Sequence, residues 1–310
     1  MNYNIACGID DNYVQHAAVM LMSLSLTNKY NSFDVYVLSL GVKEESKRKL
    51  QDVFYKSNLH IYFIDIKESV LVKFPIRKKD YLSLATYLRL FMPDKLPDNI
   101  NKILYLDSDI IINGDIAPLF NTDVTGKYAA ACLDVDQDNC LRLNYDKRLG
   151  YYNAGVFLFN IYEMRKIKFM EFVRDYVENV NAPLKYHDQD VLNFLFKGKI
   201  VSVNHKWNLL ECYYLKKELH DLYDDIDDAI EHPMIIHYSS SFRPWNFGCN
   251  HPLKSKYFFY LDMIPWGNKT LHRFVAFKRL RLWAKIIILL GGSPTTKDRI
   301  KEFMYGLIHS

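Results

Sequence analysis

Short apolar runs alternate along the first third of the chain with longer segments whose apolar positions recur every three or four residues. Residues 4–9, 34–40 and 60–64 read as strands, and residues 16–26 and 44–55 between them read as helices. A helix is expected over 81–92, stopped by Pro93, followed by a buried strand over 102–106 that runs into Asp107. Strands at 128–133, 156–160 and 234–237 and helices at 169–179 and 188–196 complete the pattern. This alternation implies βαβ units and a mostly parallel, mixed central sheet in an α/β, Rossmann-like fold. Ligands in such folds bind beyond the carboxyl ends of the strands. Chemistry is therefore expected in the residues that follow each strand.

Composition narrows the function classes. A chain of 310 residues, 49% hydrophobic, is long enough to bury a substantial core. Forty Lys and Arg against 36 Asp and Glu leave a formal charge of only +4, which argues against nucleic acid as a partner. The charge is unevenly spread, however: residues 266–310 carry nine basic and two acidic side chains. Five scattered cysteines without a CxxC pair suggest neither a disulfide framework nor a zinc site, which fits a reducing cytoplasm. The N-terminus runs directly into a strand and shows no signal peptide, and the apolar run 286–290 is too short to span a bilayer. The acidic stretch 221–228 reads as a solvated loop and helix start.

Four short motifs carry candidate chemistry. The apolar strand Ile103-Leu104-Tyr105-Leu106 ends in Asp107-Ser108-Asp109. In an extended segment residues i and i+2 project to the same side, so both carboxylates can face one hard cation, whose charge offsets the cost of burying two anions together. A solvated turn is the plainer reading. Gly8-Ile9-Asp10-Asp11-Asn12 joins the first strand to a helix, where Asp11 or Asn12 can serve as N-cap, or Asp10 and Asn12 can read a uracil or ribose. His237, at the end of the last strand, can complete a metal site begun by the two aspartates, and Arg243 six residues on offers a fork of donors suited to phosphate. Asp188 and Gln189 open a helix that Asp188 can simply cap.

Taken together and in their order along the chain, near residues 10, 107, 188 and 237, these motifs resemble glycosyltransferase family 8, especially its bacterial lipopolysaccharide galactosyl- and glucosyltransferases. The resemblance extends through Arg89 and through Asn153-Ala154-Gly155 and covers roughly residues 2–245. It implies a GT-A catalytic domain over 1–260 and a retaining transfer of galactose or glucose from UDP-galactose or UDP-glucose to a glycan or glycolipid acceptor. Gly8, Asp10 and Asn12 would hold uridine. Asp107, Asp109 and His237 would hold Mn²⁺ (or Mg²⁺), with Ser108 beside them. Arg89, Asn153, Ala154 and Asp188 would line the donor-sugar pocket, Gln189 would lie near the reacting carbon, and Ser240 and Arg243 would approach the diphosphate. An amide is a poor nucleophile, so same-face attack is expected rather than a stable covalent intermediate on Gln189.

Two departures stand out. Where the family usually has His-x-x-Gly-x-x-Lys-Pro-Trp, this chain has Ser240 for Gly and Arg243 for Lys. Arginine keeps the charge but changes the geometry of any phosphate contact, and Ser240 adds bulk where glycine allows close approach. The segment 261–310 mixes cations with Phe, Leu and Trp and reads as a peripheral membrane-association segment that meets an anionic inner membrane face, in preference to a core-packing helix. The rival functions are a sugar-nucleotide-binding protein without turnover and a metal-dependent phosphohydrolase, the latter lacking a separate nucleophile with a partnered base. A self-glucosylating enzyme fits less well with the cationic tail.

Overall fold

The computed structural model describes residues 1–75, 84–179, 184–240, 243–246 and 249–267. The chain divides into two compact units, Met1–Ser241 and a second beginning at Phe242. The first unit is built on a seven-stranded mixed sheet. Its strands are β1 (Asn2–Asp10), β2 (Ser32–Leu40), β3 (Leu59–Asp65), β4 (Lys102–Leu106), β6 (Ala129–Leu133), β7 (Tyr152–Asn160) and β8 (Ile200–Ser202). The order across the sheet is β3-β2-β1-β4-β7-β6-β8. All neighbours pair in parallel except β7, which runs antiparallel to β4 and β6. The expectation of a mostly parallel sheet holds, with β7 as the strand that makes it mixed.

β4 illustrates how the sequence makes this sheet. Ile103, Leu104, Tyr105 and Leu106 are all at most 1% exposed, as a strand covered on both faces requires. The helix Val14–Thr27 is buried on most of its circumference because it too is covered on two sides. A second, three-stranded sheet of β5 (Ile110–Ile112), β10 (Ile235–His237) and β9 (Leu209–Leu210) lies against it, and Ser23 Oγ accepts the Ile112 amide at 2.9 Å.

Two elements differ from expectation. Residues Leu84–Phe91 form a 3-10 helix, long for that class, and Pro93 sits in the first turn of the short helix Met92–Lys95 rather than stopping a longer one. Proline lacks the amide hydrogen that a first turn leaves unused, so it starts a turn as readily as it ends one. β7 also begins four residues earlier than expected, so Asn153, Ala154 and Gly155 lie within the strand. The five cysteines are free thiols.

In the second unit the helix Lys254–Leu261 packs Tyr257 against Trp245 with ring centroids 5.0 Å apart, and the Arg243 guanidinium lies 6.0 Å from the Trp245 ring. No described helix is long and apolar enough to cross a membrane. The basic segment proposed for the membrane surface lies almost entirely outside the described residues.

Candidate active site

β1 and β4 are adjacent and parallel, so Asp10 and Asp107 leave the sheet at the same edge, on the side where the chain order across the sheet reverses. β5 follows immediately after Asp109, and its antiparallel register sets Ile110 opposite His237. That pairing, sealed by the Tyr238 amide donating to the Asp109 carbonyl at 3.0 Å, brings the end of β10 back to the end of β4. Single ligand atoms of Asp107, Asp109 and His237 lie within 4.8 Å of one another, with His237 Nε2 3.3 Å from Asp109 Oδ1. Asp109 and His237 are buried and Asp107 is half-buried; Ser108 between them is buried.

Gly155 makes room for this arrangement. A Cβ there would lie 2.7 Å from His237 Nδ1 and 3.1 Å from Asp107 Oδ2. The glycine is thus a seat for both side chains. The other oxygen of Asp107 faces Arg89 at 2.7 Å.

Arg89, on the 3-10 helix, is 4% exposed and fully engaged within the protein. Its Nε meets Asp188 Oδ2 at 2.8 Å, its other nitrogens reach Asp107 and the Ala154 carbonyl, and its plane lies 4.2 Å from the Tyr105 ring. The guanidinium therefore supplies part of the counter-charge that the buried Asp188 and the half-buried Asp107 need. Burial still dominates at Asp107 and pushes its carboxyl up to about 6, with Arg89 opposing the rise. Asp188 is likewise raised by burial and held against that by Arg89 and by a hydrogen bond from Thr86. It is not the residue before this helix, which is Tyr186, and its carboxylate points back to the 3-10 helix. His187, just before it, takes a left-handed φ of 46°, a conformation that costs a non-glycine residue on the order of 1–3 kcal/mol and clusters at functional sites.

Gln189 accepts the Ala154 amide at 2.9 Å and donates to Asp134 Oδ2 at 3.2 Å; Asn153 accepts the Gly155 amide at 3.0 Å and donates to the same oxygen at 3.0 Å. Asp134 was not among the expected site residues. It follows β6 directly, so the strand-end argument applied to 128–133 would have found it. Asn208 was missed as well. It donates to Asn153 Oδ1 at 2.9 Å and faces His237 Nδ1 with its own oxygen at 2.8 Å, a role no local sequence signal announces.

Other expected residues fall differently. Asp10, rather than Asp11 or Asn12, caps the turn after β1, accepting the Asn12 amide at 3.0 Å, while Asp11 binds the Lys43 backbone. Asn12 is exposed. Gly8 donates its amide to Tyr105 Oη, and a Cβ there would meet that oxygen at 3.0 Å and the Ala85 carbonyl at 3.3 Å, so tight packing alone favours glycine. Ser240 is half-buried, and Arg243 belongs to the second unit.

The family model described as glycosyl transferase family 8 matches residues 4–249, most of the chain. The chain belongs to glycosyl transferase family 8. Similar proteins include General stress protein A of Bacillus subtilis (strain 168), 27% identical over 281 residues, which are 87% of this chain and 97% of that one. The lipopolysaccharide 1,2-glucosyltransferase of Escherichia coli (strain K12) is 29% identical over 273 residues, 86% of this chain and 80% of its own. Among solved structures, the galactosyltransferase LgtC in complex with donor and acceptor sugar analogs superposes with a TM-score of 0.76 at 24% identity, covering 86% of this chain and 96% of that one. At that identity the likeness shows the GT-A fold.

The residues of this family 8 site fit a divalent metal. Two carboxylates and one imidazole converge, their oxygen and nitrogen donors suit a hard-to-borderline cation, and Gly155 leaves the space a side chain would fill.

Proposed function

We propose that this chain is a Mn²⁺-dependent, retaining hexosyltransferase. It moves galactose or glucose from the UDP conjugate to a glycan or glycolipid acceptor of the bacterial surface, such as lipopolysaccharide or lipooligosaccharide. The observation that carries the reading is the junction of two groups. Asp107, Asp109 and His237 form a metal-competent cluster, and Arg89 ties Asp107 directly to Asp188, next to Gln189. A diphosphate-binding cation and a sugar-facing pair are thus built as one unit. Mg²⁺ fits the same donors.

When bound, the metal offsets the negative charge that grows on the UDP leaving group. The protein's own contribution is positional. Arg89 fixes the directions of Asp107 and Asp188. Gln189 has its oxygen committed to a backbone amide and its nitrogen to Asp134, so it is held rather than poised to attack. An immobilised amide beside buried carboxylates suits orientation of a sugar and of an incoming hydroxyl, the contribution expected of same-face attack. Asp10, Asn12 and the backbone near Gly8, at the adjacent strand end, take the uridine, and Arg243 and Ser240 take the diphosphate. The cationic segment 261–310 brings the enzyme to the inner face of the membrane, where lipid-linked acceptors are found. Deleting 266–310 should release the protein from anionic liposomes without loss of turnover on a soluble acceptor.

The test is UDP release from a panel of UDP-sugars with Mn²⁺, with and without EDTA, for the wild type beside Asp109→Ala. Metal-dependent turnover of one or two UDP-hexoses, lost in the variant, is expected. Tight UDP binding without turnover of any donor, acceptors included, overturns the reading in favour of a binding protein. Phosphate release from sugar phosphates overturns it in favour of a hydrolase.

A further inference from the structure

The amide-polar chain behind His237 has a fixed direction. Its anchor is backbone: the consecutive N–H groups of Ala154 and Gly155, on one strand, can only donate. Ala154 N–H meets Gln189 Oε1 and Gly155 N–H meets Asn153 Oδ1. Each amide must therefore turn its NH₂ the other way, and both NH₂ groups point at Asp134 Oδ2. Burial raises the Asp134 carboxyl and these two bonds oppose that rise; Oδ2 accepts from both amides, so the two ends of the chain agree. Asn153 Oδ1 is left as an acceptor toward Asn208, which must present its own NH₂ there at 2.9 Å. Asn208 Oδ1 then faces His237 Nδ1 at 2.8 Å. Reversing any one amide would place donor against donor or oxygen against oxygen somewhere along the row.

We infer that Asn208 is a positioning residue of the metal site: its oxygen holds the proton of His237 on Nδ1 and so reserves Nε2 for the cation. Nε2 is the nitrogen that lies beside Asp109, and a partner on the far side of the ring is how a ligating histidine is held to one tautomer and one orientation. The same row makes Asn153 a link between the metal ligand and the Gln189–Asp134 pair, since one oxygen of Asn153 serves both directions. The inference rests on the metal-binding role given above to Asp107, Asp109 and His237.

Two measurements test it. Long-range ¹H–¹⁵N spectra of histidine-labelled protein, with His237 assigned by its absence in His237→Ala, report which ring nitrogen bears a proton. Nδ1 should be protonated both without metal and with diamagnetic Cd²⁺, while the Nε2 signal moves on Cd²⁺ addition. Second, Mn²⁺ affinity by electron paramagnetic resonance and folding stability by urea are measured for Asn208→Leu and Asn208→Asp. Both variants lose the bond to Asn153 and some stability. Only the Leu variant loses the acceptor for Nδ1–H, so its Mn²⁺ affinity should fall roughly 10–100-fold while Asn208→Asp stays near wild type. An unprotonated Nδ1, or equal loss of Mn²⁺ affinity in both variants, overturns the assignment. A protonated Nδ1 in a wild type that binds no Mn²⁺ leaves the tautomer that Asn208 fixes standing and sinks the metal-dependent function, and with it the metal-site role of Asn208.

Discussion

Gly155 offers the sharpest perturbation of the site, because a single methyl group separates two opposing effects. Alanine in the interior of β7 should gain about 0.5–1 kcal/mol over glycine from the unfolded chain's lost freedom. Against that, the new Cβ would collide with His237 Cε1 and sit 2.7 Å from Nδ1, where ordinary van der Waals contact begins near 3.4 Å, so the ring must retreat by about 1 Å. The ring is 4% exposed and tethered to Asn208 at 2.8 Å, and Asp107 Oδ2 at 3.1 Å blocks the methyl from the other side. Overpacking of this kind costs about 1–3 kcal/mol. The steric term wins, and Gly155→Ala should be less stable by about 1–2 kcal/mol.

The functional loss should be larger than the structural one. Metal ligands tolerate displacements of only about 0.2 Å, so a shift several times that size removes His237 from coordination. Mn²⁺ affinity should fall at least about tenfold and kcat/KM with UDP-hexose on the order of 100-fold. Thermal unfolding, Mn²⁺ titration and UDP release measure the three quantities on one preparation. Gly114→Ala is the control. Its Cβ would also collide, at 2.8 Å from Met234 Sδ, but a thioether end can swing away, and Mn²⁺ affinity should not change. Wild-type Mn²⁺ affinity and turnover in Gly155→Ala would refute the idea that this glycine seats the two ligands.

Three further outcomes follow from the same geometry. Arg89→Met strands Asp107 and Asp188 without their shared guanidinium, and urea unfolding of the metal-free protein should show about 3–5 kcal/mol of lost stability; a loss under about 1 kcal/mol would contradict the counter-charge role. Asp190→Asn weakens a fully buried carboxylate that receives Arg142, the Tyr151 hydroxyl and the Tyr186 amide; it should cost about 1–3 kcal/mol while leaving Mn²⁺ affinity intact, and a matching affinity loss would show that this network reaches the metal cluster. Burial depresses His251 to about 4, and its Nδ1 accepts the Leu253 amide, so below pH 6.5 the unfolded chain takes up a proton that the folded one refuses. Stability should fall by up to about 3 kcal/mol from pH 6.5 to 4, and His251→Gln should flatten that slope in a pH series of urea titrations.

What was readable in the sequence divides along a physical line. β4 announces itself because a strand covered on both faces reads as an unbroken apolar run, β1 and β2 because they are mostly apolar, and the half-exposed edge strand β3 because its apolar positions still cluster; Asp107-Ser108-Asp109 stands out because charge interrupts the β4 run abruptly. The three-stranded sheet was only partly readable. β5 and β9 have three and two residues, too few to show a period, and they exist because β10 lies between them. That pairing, set by long-range register, is nonetheless what carries His237 to Asp109.

The same division explains the residues whose roles were left open or missed. Asp188 has the residue type and position of a helix cap, and sequence cannot distinguish that from the buried partner of Arg89, because the difference is which amide or guanidinium lies in reach after folding. Asn208 carries no charge and sits in no motif. Its part is fixed by a chain of donors and acceptors that starts at the backbone of Gly155, more than fifty positions away in sequence, and can be followed only in three dimensions. Charged groups are legible in sequence because burying them is costly wherever they sit, whereas amides take their direction from neighbours. In this site the charged groups mark where a cation would go, and an amide decides which nitrogen of the histidine it would meet.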